Sequence, residues 1–107
     1  MVRKAMKREW HLPDRLLPVY ADFSKEDAHG NIPLICRGTR TDLRRHHIQL
    51  SEGMALYLYD LDENEDGEAD DLFVEGIAHW DEELHHWAAI IDAARIRHVS
   101  RSEFRGE

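Results

Sequence analysis

The clearest chemical pattern in the sequence is an acidic run between two apolar segments. Residues 62–67 match the first half of a calcium-binding EF-hand loop, with Asp62, Asn64 and Asp66 at the ligand positions. The twelfth position, where such a loop needs a bidentate glutamate, is Phe73, and the flanking segments have strand rather than helix composition. We therefore predict an acidic hairpin turn without a metal. Weak calcium binding through Asp62, Asn64 and Asp66 is the alternative.

The eight histidines raise a second metal hypothesis. If residues 81–84 close a tight hairpin, His79 and His86 face each other on one side of a sheet and could begin a metal site. A structural zinc site needs four ligands that usually include thiolates, and Cys36 is the single cysteine. Adjacent histidines also point to opposite faces of a strand. We therefore predict surface histidines without metal, and we expect no cofactor.

Aromatic side chains suggest a binding surface. Trp80 and Trp87 flank the predicted hairpin, and Tyr57 and Tyr59 share one face of their strand. An aromatic patch on a small β domain can bind a peptide or stack on bases, although Trp87 is expected to fill the core instead. The predicted partner-binding residues are Tyr57, Tyr59, Trp80, His79 and His86, together with the arginines described next.

A cluster of arginines offers a second surface. Arg37, Arg40, Arg44 and Arg45 lie within nine residues, and arginines near the C-terminus could join them. Phosphate contacts need such a basic patch. However, residues 51–94 contain fourteen Asp or Glu and no Lys or Arg, so they would repel a polyanion at low salt. We therefore expect a protein partner, with RNA or ribosome association through the arginines as the alternative.

Charge is polarised along the chain. The net charge is −8, and it is distributed as +4 over residues 1–50, −14 over residues 51–94 and +2 over residues 95–107. If the fold preserves this polarity, one side attracts basic partners and another side tolerates anions.

Recognisable catalytic motifs are missing from the sequence. It contains no G-x-S-x-G, P-loop, G-x-G-x-x-G, H-E-x-x-H or C-x-x-C pattern. The carboxylates occur in runs typical of solvated loops. The sequence therefore indicates no pair of carboxylates in which burial would give the two groups different pKa values, as an acid–base pair needs. The prediction is a non-catalytic binding or accessory module, and not an enzyme.

The sequence contains short β-branched and aromatic runs separated by turn residues, which indicate strands. These strands must position the candidate binding and metal-ligating residues. We predict a hairpin followed by a four-strand meander, with a short 3₁₀ turn at residues 92–95. As an alternative, residues 43–45 form one helical turn that is capped by Thr41 or Asp42. The predicted strands are near 16–23, 32–37, 46–50, 54–60, 72–80, 86–91 and 95–99. The predicted core residues are Leu56, Leu58, Leu72, Val74, Trp87, Ala89, Ile91 and Ile96.

This strand spacing, with a single turn before the last strand, resembles the SH3-like barrels over roughly residues 43–99. The resemblance implies a fold and carries no activity. Gly76, in the middle of a predicted strand, fits a bulge or the tight bend of a small closed barrel. The expected fold class is therefore mainly β, as a single small SH3-like barrel.

The chain of 107 residues predicts one domain. We expect a flexible basic arm at residues 1–11, a barrel body at 16–99 and a mobile tail at 100–107. The single cysteine excludes an intrachain disulfide and fits a reducing compartment, so the expected location is cytoplasmic. No apolar run approaches the ~18 residues of a membrane span, so no membrane partner is expected.

Overall fold

The computed structural model describes residues 17–101, which form one sheet and one α-helix. The strands are β1 (Pro18–Tyr20), β2 (Ile32–Pro33), β3 (Ala55–Asp60), β4 (Leu72–Asp81), β5 (His86–Ile91) and β6 (Arg97–His98). The helix α1 spans Arg37–Arg45, and 3₁₀ turns span Ala93–Arg95 and Val99–Arg101. The basic arm predicted at residues 1–11 and most of the predicted tail lie outside the described residues.

The strand order in the sheet is β1-β3-β4-β5-β2, and β6 pairs with the beginning of β4. The antiparallel succession of β3, β4 and β5 confirms the central part of the predicted meander. The predicted hairpin of β1 with β2 is wrong, because β1 pairs in parallel with β3 while β2 pairs with β5. Within residues 17–101 the sheet has two ends and is not closed, so the SH3-like barrel is not confirmed.

The long strand β4 organises the sheet, since it pairs with β3 through its first half and with β5 through its second. Gly76 lies where both pairings overlap, opposite Leu56 and Ile91, and the register runs through it without interruption. The bulge considered at Gly76 is therefore absent. A Cβ atom here would lie 3.0 Å from Ile91 Cγ2 and 3.1 Å from Leu58 Cδ1. The glycine lets these core side chains pack closely over the strand.

The helix α1 begins at the end of the strand predicted at 32–37 and includes residues 43–45, where one helical turn was the predicted alternative. The strand predicted at 46–50 is wrong, because these residues form the connection after α1. Gly, Thr and Asp within α1 are weak helix formers, so propensity alone does not predict a helix here. Tertiary contacts supply the stability, since Thr39 and Asp42 are buried and Leu43 packs against the core.

The C-terminus of α1 is closed by a Schellman motif. The amide of His47 donates to the carbonyl of Arg44 at 3.1 Å, and the amide of Ile48 donates to the carbonyl of Leu43 at 2.8 Å. His47 stands in the left-handed region, with φ of 57°, where glycine is more usual. The chain then turns so that Ile48 packs against the core.

One face of the sheet carries the main core. The predicted core residues Leu56, Leu58, Val74 and Ala89 are buried, whereas the other four are only half-buried: Leu72, Trp87, Ile91 and Ile96. The predicted 3₁₀ turn before the last strand is confirmed, and the Asp92 side chain caps it by accepting the Ala94 N–H. No helix of the described chain is long and apolar enough to span a membrane.

Candidate functional site

The predicted aromatic surface is divided between the two faces of the sheet. Trp80 pairs with Trp87 and lies on the core face, while Tyr57 and Tyr59 lie on the opposite face. The register also differs from the prediction, because His79 is opposite Ala88 and not opposite His86. The turn comprises residues 82–85, since Asp81 belongs to β4, where its Oδ1 accepts the Leu84 N–H at 2.9 Å.

The aromatic side chains have structural contacts of their own. Tyr57 is only 6% exposed, and burial, followed by the nearby Glu75, raises its pKa. The Tyr59 hydroxyl donates to Asp42 Oδ2 at 2.8 Å, so this ring ties β3 to α1. Trp80 contacts Trp87 edge to face, with ring centroids 5.6 Å apart. The structure therefore does not bring Tyr57, Tyr59 and Trp80 together on one accessible patch.

The arginines, in contrast, are gathered on one exposed side of α1. Arg37, Arg40 and Arg44 are spaced by three and four residues and so lie on one helix face, with Arg45 beside them. All four are exposed. Within residues 17–101, only Arg45 has a carboxylate partner, with its Nη1 3.4 Å from Asp42 Oδ1. We call these four residues the arginine face.

Asp42 fixes the orientation of the arginine face. Its Oδ2 accepts the backbone N–H of Tyr20 at 2.9 Å as well as the Tyr59 hydroxyl. Thr39, one turn earlier on the same buried side of α1, donates its hydroxyl to the Tyr20 carbonyl at 2.6 Å. The buried side chains of Thr39 and Asp42 therefore attach the helix to both β1 and β3. These hydrogen bonds hold the helix, and with it the arginines, in a fixed position on the sheet.

Asp42 was not among the predicted site residues, although one sequence signal marks it. It is the only carboxylate between residues 28 and 51, and it stands among four arginines. In the structure this carboxylate accepts hydrogen bonds from Tyr20 and Tyr59, so most of the arginine charge is not neutralised.

The acidic segment begins close to α1. Burial, then a hydrogen bond to Asp60 and the charge of Asp60, raise the pKa of Tyr20 to about 12. Asp60 ends β3, and its Oδ2 also accepts the Phe23 N–H at 3.1 Å. Because Tyr20 is also bonded to Asp42, positive and negative surfaces meet near this tyrosine.

The predicted acidic turn forms a defined hairpin over residues 61–71, which we call the acidic hairpin. Asn64 Oδ1 accepts the N–H groups of Asp66 and Glu68, and Glu63 bridges to Ala69 across the turn. Residues 61–69 are exposed. Asp62 Oδ2 lies 2.7 Å from His98 Nε2, which together with a backbone hydrogen bond lowers the pKa of Asp62.

Two of the three side chains considered as calcium ligands, Asp62 and Asn64, are therefore already engaged within the fold. Asn64 uses its side-chain oxygen for the turn, and Asp62 contacts β6. No set of three or more His, Cys, Asp or Glu residues within positions 17–101 is arranged to hold a metal ion.

The predicted histidines His79 and His86 each contact a carboxylate instead of each other. His79 Nδ1 lies 2.8 Å from Glu52 Oε2, and this contact raises the pKa of His79. His86 Nε2 lies 3.3 Å from Asp27 Oδ2. Two further histidines have backbone roles, since His47 and His85 both occupy the left-handed region.

Neither of two surface grooves that described residues line carries a catalytic constellation. One has a volume of about 420 Å³ and is lined mostly by apolar side chains, with His47 and Gln49 as the polar ones. The other, about 600 Å³, runs along the acidic hairpin from Leu61 to Asp71. Cys36, the only thiol, precedes α1, and its Sγ lies 3.1 Å from the Thr39 hydroxyl.

Comparison of the chain with protein-family models, with curated proteins and with solved structures found no match.

Proposed function

We propose that the chain is a non-catalytic module that binds an acidic surface of another protein through the arginine face. The observation that carries this proposal is the set of four exposed guanidinium groups on a helix anchored by Asp42. Three of them have no carboxylate partner within residues 17–101. A guanidinium fork binds a carboxylate through two parallel hydrogen bonds, which makes this face suited to Asp and Glu side chains.

RNA is the second candidate partner, because the same guanidinium geometry binds phosphate. The nine residues of α1 extend over about 13 Å at 1.5 Å per residue, so a longer polyanion would pass beyond the helix. It would then approach Asp60, which contacts Tyr20, and the acidic hairpin that follows Asp60 in the chain. A compact acidic patch on a protein avoids this repulsion, and for that reason we favour a protein partner.

Nuclease treatment separates the two candidates. The tagged full-length chain is incubated in native lysate at low salt, with and without nuclease, and the captured proteins are quantified. Specific partners that remain after nuclease support the protein-binding function. Partners that are lost with nuclease support RNA association instead.

A cytoplasmic location is part of the same proposal. It is supported by the single cysteine, which is half-buried and free. Fractionation of cells expressing the tagged chain tests it, and recovery in a membrane or extracellular fraction would contradict it.

A further inference from the structure

A mostly apolar groove lies directly beyond the C-terminal end of α1, next to the arginine face. Its volume is about 420 Å³. Residues 47–49, which follow the helix, form one wall, and residues 54–56, at the start of β3, form the other. Leu17, just before β1, completes the rim and is 42% exposed. We call this surface the apolar groove.

The Schellman motif fixes the apolar groove relative to the arginines. The Ile48 amide donates to the Leu43 carbonyl at 2.8 Å, so the chain folds back against the last turn of α1, where Arg44 and Arg45 lie. Residues three apart are separated by at most about 11 Å, even in a fully extended chain. An extended ligand rises about 3.3 Å per residue, so three or four of its residues reach from Arg45 to the groove.

The base of the apolar groove joins the core. Leu56 is 3% exposed, and Ile48 and Met54 pack against the core cluster. The described residues that line the groove include no Asp, Glu, Lys or Arg, and the polar ones are His47 and Gln49. A site for a polar small molecule usually has several convergent polar groups that fix its orientation. This lining therefore favours an apolar side chain as the occupant.

The charges beside the apolar groove favour a ligand that changes from acidic to apolar along its length. Arg44 is exposed and has no carboxylate partner within residues 17–101, while Arg45 contacts Asp42. Beyond them, the C-terminal end of α1 carries the negative partial charge of the helix dipole, which disfavours a further carboxylate. Near the other wall, Glu52 has both carboxylate oxygens bonded to β4. A neutral side chain is therefore favoured where the arginines end.

We propose that the apolar groove holds an apolar side chain of the same acidic segment that binds the arginine face. This inference rests on the proposed function and specifies its partner, an acidic segment with a large apolar residue three or four positions from its carboxylates. Exposed ion pairs discriminate weakly between acidic partners, because each strengthens an interaction by about fivefold at most. The contact in the groove supplies the selectivity that the arginines lack.

Two synthetic peptides test the apolar groove on the full-length chain. The leucine peptide is Leu-Leu-Ser-Ser-Glu-Glu-Glu-Ser-Ser-Leu-Leu, which carries apolar residues on both sides of its acidic run and so serves either chain direction. In the serine peptide, every leucine is replaced by serine. In calorimetric titrations at low salt, the wild type should bind the leucine peptide about tenfold more tightly, the size expected when one leucine side chain is partly buried.

Matched leucine variants assign this preference to the apolar groove. L17S should reduce the tenfold preference to less than about threefold. L61S makes the same substitution at an exposed leucine of the acidic hairpin and should retain the preference. Melting temperatures establish that both variants are folded.

Methyl NMR signals of the wild type locate the bound peptide without any variant. The leucine peptide should shift the signals of Leu17, Ile48 and Leu56, which line the apolar groove. The signals of Ile90, which is 44% exposed and lies on β5, should stay constant. Shifts at Ile90 that equal those in the groove would contradict the assigned site.

The peptides also separate failure of this inference from failure of the proposed function. Equal affinity for the two peptides, with both weakened by R40E/R44E, would overturn the apolar groove as a binding site and leave the arginine face in place. Binding of neither peptide at low salt would contradict both proposals. A wild-type dimer that L17S dissociates would assign the groove to a second copy, and a nuclear Overhauser contact from residues 1–16 to the groove methyls would assign it to the chain itself. Either result would overturn the proposal.

Discussion

Asp42 has the largest structural influence of any single side chain at the candidate site. It is 4% exposed, and it joins α1 to the backbone of β1 and to the Tyr59 hydroxyl of β3. Of the arginines that surround it in sequence, only Arg45 pairs with this carboxylate, yet the position of all four depends on it. Its removal should affect the support of the arginine face more strongly than removal of any one arginine.

Replacing the buried Asp42 by alanine should lower the free energy of unfolding by about 3 kcal/mol, because the Tyr20 amide and the Tyr59 hydroxyl each lose a part-buried hydrogen bond to it. Chemical denaturation measures this change. Arg45→Ala is the control, and it should lower stability by less than about 1 kcal/mol, since the Arg45 side chain is 64% exposed. Equal losses in the two variants would show that Asp42 does not anchor the helix.

Among the elements, the alternation of apolar and polar residues was a sufficient guide to three strands of the predicted four-strand meander, but not to the fourth, because β6 pairs with β4 and not with β5. The predicted strand at 86–91 matches β5, and the predicted strands at 54–60 and 72–80 match β3 and β4 within one residue at each end. These strands have one face in the core, which imposes a period of two on their sequence. The 3₁₀ turn was predictable because Asp92 and two alanines are the only residues between the strands predicted at 86–91 and 95–99, so the connection must be short.

Elements that depend on distant contacts were not predictable in this way. α1 has weak helix formers and is held by Tyr20 and Tyr59, which are far from it in sequence. Strand β1 pairs in parallel with β3 and does not pair with β2. These pairings likewise depend on residues that are distant in the sequence, so no local pattern predicts them. For the candidate site, sequence proximity identified the arginines, but only the helix shows that they share a face.

The Schellman motif at the end of α1 places a non-glycine residue, His47, in the left-handed region. His47→Gly should raise the free energy of unfolding by up to about 1 kcal/mol, because the left-handed conformation strains a residue with a Cβ atom and suits glycine. His46→Gly is the neighbouring control, and it should lower stability by about 0.5–1 kcal/mol, since His46 has φ of −93° and gains only chain flexibility. Thermal melting compares the two variants, and the same sign of change in both would contradict the assigned motif.

Across the whole molecule, histidine side chains contact carboxylates of the acidic region. Residues 51–94 have no Lys or Arg, yet His79 contacts Glu52 and His98 contacts Asp62. These pairs link segments that are distant in the chain. Stability should therefore depend on pH on both sides of a maximum.

We predict that the melting temperature is highest between about pH 4.5 and about pH 6.5. The pKa of His79 is raised above 6.5 by Glu52, so its stabilising effect is present below pH 6.5 and is lost as the pH rises through the folded-state value. The pKa values of Glu52 and Asp62 are lowered by their histidine contacts, so their effect is present above about pH 4.5 and is lost as the pH falls.

Melting curves across this pH range check the prediction. His79→Gln should flatten the alkaline side of the profile and leave part of the acidic side, which Asp62 still shapes. A melting temperature that rises steadily from pH 6 to pH 9 would contradict the assigned sign.

Partner capture by charge-reversed variants tests whether the arginine face binds the protein partner. R40E/R44E reverses two exposed arginines on α1, and R95E/R97E makes the same change of net charge at two other exposed positions, one in the 3₁₀ turn and one in β6. After nuclease treatment, R40E/R44E should capture less than about a tenth of the protein partner held by the wild type, whereas R95E/R97E should retain most of it, because the contacts of a guanidinium fork are local. Equal melting temperatures establish that both variants are folded. Undiminished capture by R40E/R44E, or an equal loss in both variants, would show that the arginine face is not the binding surface.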